Sequence, residues 1–201
     1  YEALSYFTEF WPSDNTDPIE RLFIQWGFSQ VFPAKTMCAH VTTWNKNSSV
    51  KFRTDVAMMC KLGFDIKLAD MSKDDETYCR TAVQNYNRLK PVVLEGDMYR
   101  LVSPYGSNHT STMYVGKDKD KAVVFAFDIH PRYAEKTLPV RLQGLDADKM
   151  YRVKEINLMP GANSSLSGNG EVFSGEFLMN VGLNLFTTQQ LNSRVVEVVA
   201  E

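Results

Sequence analysis

Two acids stand close together in the run Trp11-Pro12-Ser13-Asp14-Asn15-Thr16-Asp17-Pro18. A carboxylic acid beside an aromatic wall is a chemistry-bearing arrangement, because desolvation helps keep such a group protonated for proton transfer. The residues on their C-terminal side tell the two acids apart. Asp17 precedes proline and stands three residues before Glu20, the pattern of a helix N-cap with proline at the first helical position, so its role is structural. Asp14 has no such duty. A loop Asx-turn accounts for it about as well as general acid chemistry does on pattern alone.

Other candidates are weaker. His40 falls near the end of a strand-like run, where a lone histidine is more often a packed, hydrogen-bonded residue than a catalytic one. Trp11 and Trp44 offer faces on which a sugar ring stacks, and Trp11 alone has an argument from position. Arg53, after a polar loop, would clamp a ligand or pair with an acid. His40, His109 and His130 share no ligand spacing with acids or cysteines, so no metal site is expected, and no cofactor motif is present. Cys38, Cys60 and Cys79 lie far apart and read as free, packed thiols.

The elements that must position these residues fall into two regimes. Tyr6–Trp11 reads as a buried strand bounded by Pro12, and Ile19, Leu22, Phe23 and Trp26 recur at helical spacing up to Gly27. Thr36–Thr42 reads as a second strand, residues 44–49 as a polar loop, and about Thr54–Leu62 as a helix stopped by Gly63. Alternation of this kind predicts β/α units on a parallel sheet, with chemistry on the loops after the strands. A long helix opens at Ser72 with Tyr78, Ala82, Tyr86, Leu89 and Val93 as its apolar stripe, a kink expected at Pro91 and a stop at Gly96. Beyond it come short β-rich runs at Met98–Ser103, Thr112–Gly116, Ala122–Asp128, Leu138–Leu142, Tyr151–Ile156 and Val195–Val199. Turn residues separate them as in an antiparallel β-sandwich. The expected division is therefore 1–96 and 97–201.

Composition bounds the rest. The 201 residues, 44% hydrophobic and 23% charged, suit a folded chain with a sizeable core. A net charge of −2 lacks the positive field that phosphate backbones require, so nucleic acid is not an expected partner. No apolar stretch approaches the roughly 20 residues of a membrane-spanning helix. The chain opens on Tyr1, with Glu2 and Glu9 where a secretory signal carries basic residues, and this reads as an internal start.

The run from Tyr6 to Arg21 closely resembles a signature of the α-galactosidases of glycoside hydrolase family 36. Thr36–Val41 looks like that family's next strand motif, and Phe52–Asp65 like the helix after it. The resemblance implies the last β/α units of a TIM (β/α)8 barrel followed by a C-terminal antiparallel β-sandwich. It also implies that Asp14 is the acid/base of a retaining hydrolase acting on terminal α-galactosyl residues of oligosaccharides. The nucleophile would then lie upstream of Tyr1, and the chain alone would be inactive. The candidate substrate contacts are Trp11, His40 and Arg53, the expected partner is a galactose-containing oligosaccharide, and the parent enzyme is a candidate homo-oligomer. The competing expectation is a non-catalytic carbohydrate- or protein-binding β-sandwich with a helical adapter.

Overall fold

A computed structural model describes residues 2–44 and 47–201. Tyr1, and Asn45 and Lys46 of the expected polar loop, lie outside the described residues.

The first half is built from parallel segments joined by helices. Helix α1 spans Pro18–Phe28, and Asp17 caps it by accepting the backbone N–H groups of Ile19 (2.9 Å) and Glu20 (3.1 Å), as its sequence pattern requires. Strand β1, Cys38–Thr42, pairs in parallel with β2, Lys61–Asp65, through helix α2, Val50–Ala57. Three expectations change here. Tyr6–Trp11 is not a buried strand: only Phe10 bridges, in parallel, to Met37, while Tyr6 and Phe7 are exposed. Strand pairing is a non-local contact, and an aromatic run cannot supply its own neighbour. The helix placed at Thr54–Leu62 starts earlier, because the Ser49 hydroxyl accepts the Phe52 N–H at 3.1 Å and nucleates it there. Gly63 stops no helix and instead sits inside β2, opposite His40.

Helix α3, Lys73–Glu95, is capped by Ser72 and continues unbroken through Pro91. Its stripe Tyr78, Ala82, Tyr86, Leu89 and Val93 is buried as the spacing predicts. That stripe packs in one apolar cluster with Phe52 of α2 and with Tyr114, Phe125, Phe127 and Val195 of the second half.

The second half is a six-stranded antiparallel sheet, in the spatial order β3-β4-β5-β8-β6-β7. Its strands are β3 (Asp97–Val102), β4 (His109–Val115), β5 (Lys121–Asp128), β6 (Met150–Ile156), β7 (Val172–Ser174) and β8 (Asn192–Ala200). The central strands β4 and β5 are buried along nearly their whole length, so both sheet faces are covered. One face meets α3. The other meets a layer that includes Val140, Leu142, Leu166, Leu183, Leu185 and Leu178 of the short helix α4, Gly175–Asn180. This layering is consistent with the expected sandwich. Leu138–Leu142 is not a strand, however: Val140 alone bridges to Leu183, and Pro139 has no N–H with which to extend the ladder.

Candidate active site

The loop between Phe10 and α1 leaves from the parallel segments, after the Phe10–Met37 bridge, and every second residue of it is spent on its own backbone. Ser13 Oγ accepts the Asn15 N–H (3.1 Å), Asn15 Oδ1 accepts the Asp17 N–H (2.9 Å), and Asp17 then caps α1. These are successive side-chain turns, each fixing the peptide two residues on. Thr16 meets the Thr42 hydroxyl at 3.2 Å, at the C-terminal end of β1. Asp14 is left over: its carboxylate is exposed and, among the described residues, makes no hydrogen bond or ion pair. The even-odds alternative of an Asx-turn at Asp14 is therefore taken up by Asn15 instead.

Trp11 and His40 come together. Their ring centroids are 3.7 Å apart with planes at 82°, and the indole N–H donates to the Ser13 carbonyl. His40 is backed by Gly63 across the parallel pair, where a Cβ would lie 2.3 Å from the ring's Cδ2. This close approach is the physical reason for glycine at that position. Burial pushes the His40 pKa below 6.5, with the Arg21 charge acting in the same direction and Asp65 opposing, and its Nδ1 has no partner among the described residues. Burial thus favours the neutral form of the His40 imidazole, whose ring packs against Trp11.

Arg53 on α2 donates from Nη1 to the Thr42 carbonyl at 2.7 Å, while its Nε is buried without a partner among the described residues. Arg53 and His40 both line a cavity with Thr16, Arg21, Gln25 and Thr42, but its volume of about 10 Å³ is near the minimum for one water and far below a sugar ring. Neither residue has a hydrogen bond to Asp14. Trp44 is 59% exposed beyond the end of β1.

Two residues that carry no motif in the sequence organise the site. Arg21, only 4% exposed, donates from Nη1 to the Ser13 carbonyl (3.1 Å) and from Nη2 to the Cys38 carbonyl (3.0 Å). Gln25, one turn on, donates to the Val56 carbonyl at 2.9 Å and ties α1 to α2. Their signal in the sequence is only indirect: both lie on the polar side of an amphipathic helix that should face water, yet both are buried.

Loops at the C-terminal ends of parallel strands are where barrel and open α/β folds carry their reactive groups, and the exposed Asp14 carboxylate and the Trp11–His40 pair lie on such a loop of an α/β unit. Comparison with known proteins is more specific. The Melibiase family model matches residues 2–96, and the glycosyl hydrolase family 36 C-terminal domain model matches residues 109–198. The chain is 35% identical over 200 residues to α-galactosidase 2 of Hypocrea jecorina, covering 96% of this chain and 25% of that protein. It is 34% identical to the probable α-galactosidase G of Aspergillus terreus, covering 96% of this chain and 26% of that one. Among solved structures it resembles the family 36 α-galactosidase AgaB of Geobacillus stearothermophilus, with a TM-score of 0.87, 28% identity, and coverage of 99% of this chain and 26% of that one. The chain belongs to glycoside hydrolase family 36, and it spans about a quarter of the length of the relatives it matches.

Proposed function

We propose that this chain supplies the acid/base loop of an α-galactosidase, with Asp14 as the acid/base. The observation that carries the reading is the free Asp14 carboxylate on a loop whose neighbouring side chains are all spent on holding it. A related α-galactosidase, AgaA of Geobacillus stearothermophilus, is described in complex with raffinose (TM-score 0.86, 27% identity) and, as another variant, with stachyose. The substrate class is accordingly oligosaccharides ending in an α-galactosyl residue.

In a retaining double displacement, a carboxylate attacks the anomeric carbon while Asp14 gives its proton to the departing oxygen. Asp14 then takes a proton from the water that releases the sugar. The two carboxyls of such a pair stand about 5–5.5 Å apart. The attacking carboxylate is assigned to a part of the protein outside this chain. Trp11, braced by His40, would wall the galactose site, and Arg53 would hold the end of β1 through the Thr42 carbonyl. The division falls where α3 gives way to β3: 1–96 belongs to the barrel and 97–201 forms the C-terminal β-domain.

The test is Asp14→Ala in the full-length protein. Turnover of raffinose should fall by about 10²–10⁴-fold, the usual worth of general acid–base aid, with a far smaller loss of glycosylation rate for an aryl galactoside whose phenolate leaves unaided. Undiminished raffinose turnover would remove Asp14 from the mechanism.

A further inference from the structure

Arg21 is a buried cation with no carboxylate to meet it among the described residues, an arrangement that costs desolvation free energy without the return of an ion pair. Its actual partners are informative. Its Nη1 reaches the carbonyl of the peptide that joins Ser13 to Asp14, and the Trp11 indole N–H donates to that same oxygen. Two side-chain donors therefore fix the plane of the peptide immediately before Asp14, and a peptide plane so fixed leaves the Asp14 Cα only rotation about its own bonds. On the far side, Ser13 Oγ holds the Asn15 N–H. The other arm of the guanidinium, Nη2, ends on the Cys38 carbonyl of β1, whose register against Lys61 is set by the parallel ladder. The rigid fork thus spans a fixed interval between the loop and the sheet, which a flexible ammonium would not reproduce.

We propose that Arg21 is a positioning residue for Asp14, setting the distance of the acid/base loop from strand β1. The inference rests on the reading of Asp14 as the acid/base. Arg21 is assigned no contact with substrate; it acts through the Ser13–Asp14 peptide. A merely structural arginine would lower stability and with it the activity on every substrate alike. A positioning arginine makes the loss depend on how much the leaving group needs a proton, since small misplacement of a catalytic group costs up to about 10²-fold in the step it serves.

The experiment compares Arg21→Met, Arg21→Lys and Asp14→Ala in the full-length protein, using methyl α-galactoside, whose alkoxide needs protonation, and dinitrophenyl α-galactoside, whose phenolate does not. For Arg21→Met, kcat/KM on the methyl substrate should fall about 10–100-fold, and on the dinitrophenyl substrate less than about threefold. Arg21→Lys should show the same selectivity at smaller size, and it provides the readout where Arg21→Met does not fold. If Asp14→Ala separates the two substrates but both arginine variants lose them equally or lose neither, the inference is overturned and Asp14 stands. If Asp14→Ala itself fails to separate them, the acid/base reading falls and this inference with it.

Discussion

Replacing Asp55 by alanine should loosen the hold of the helical half on the β-sheet. Asp55 is fully buried in α2, and its carboxylate has four partners from four places. Oδ1 accepts the Tyr78 hydroxyl of α3 at 2.8 Å and the Asn157 amide after β6 at 3.0 Å; Oδ2 accepts the Ser193 hydroxyl of β8 at 2.7 Å and the Lys51 ammonium at 2.5 Å. All four acceptor positions of an ionised carboxylate are therefore used. Alanine leaves these donors facing a void. Four unsatisfied groups at about 1–3 kcal/mol each would set a high ceiling. The Lys51 side chain is 13% exposed and can turn toward water, and the Ser193 hydroxyl can rotate, so the loss should lie nearer the about 3–5 kcal/mol typical of a broken buried pair. At roughly 2–4 °C per kcal/mol for a unit of this size, Tm should drop by about 6–20 °C. Asp55→Asn keeps the volume and two of the four acceptor positions, and should lose about half as much. Calorimetry on the full-length protein measures both. A shift below about 3 °C for Asp55→Ala would show that the contacts are present without holding the halves together.

The remaining predictions concern titration. His40 is kept neutral by burial, with its pKa below 6.5, so the unfolded chain takes up this proton first as pH falls. Stability should decline from about pH 6.5 down to the lower folded value and then level off, and the His40→Gln variant should lack that component of the slope in urea midpoints taken between about pH 7.5 and 5.5. An identical slope in the variant would refute the assignment. Among the thiols, burial pushes Cys60 up to about 12 and Cys79 up to about 11, and raises Cys38 from 9.0. At pH 8 about one Cys79 in a thousand is thiolate, and fewer still of Cys60, so peptide-mapped alkylation of the native protein should label Cys38 first and Cys60 last. Cys60 labelling as quickly as Cys38 would contradict the burial argument.

The features legible in the sequence are those that depend on near neighbours. The Asp17 cap and the Tyr78-to-Val93 stripe rest on spacings of a few residues, and each appears as expected, whereas of the expected apolar face of α1 only Leu22 is fully buried and the helix also buries Arg21 and Gln25. Asp14 stands between a loop turn and acid chemistry on pattern alone, and the structure shows its carboxylate exposed and without a hydrogen bond among the described residues. The failures are contacts that close over distance. Tyr6–Trp11 has strand composition, but a strand needs a partner, and only Phe10 finds one. Gly63 carries no local sign that a histidine ring lies over it across a parallel pair. Arg21 reaches back 8 residues and forward 17, and Asp55 is joined to Asn157 and Ser193 across 102 and 138 positions. No periodicity encodes such reach.

These long-range ties also form one mechanical series. Arg21 fixes the peptide before Asp14; Gln25, four residues on along the same helix, fixes α1 to the Val56 carbonyl of α2; and Asp55, the neighbour of Val56, fixes α2 to the sheet. The helical and β halves also share one apolar cluster from Leu22 through Phe52 and Tyr78 to Phe125 and Val195. Packed interiors transmit displacement because they have no free volume in which to absorb it. The β-sheet half is therefore part of what holds the Asp14 loop in place, although it carries none of the reacting groups in the proposed mechanism. The loop is thus tied to β1 by the Arg21 guanidinium as well as by the Thr16–Thr42 and Trp11–His40 contacts, and through α1 and α2 to a core shared by both halves.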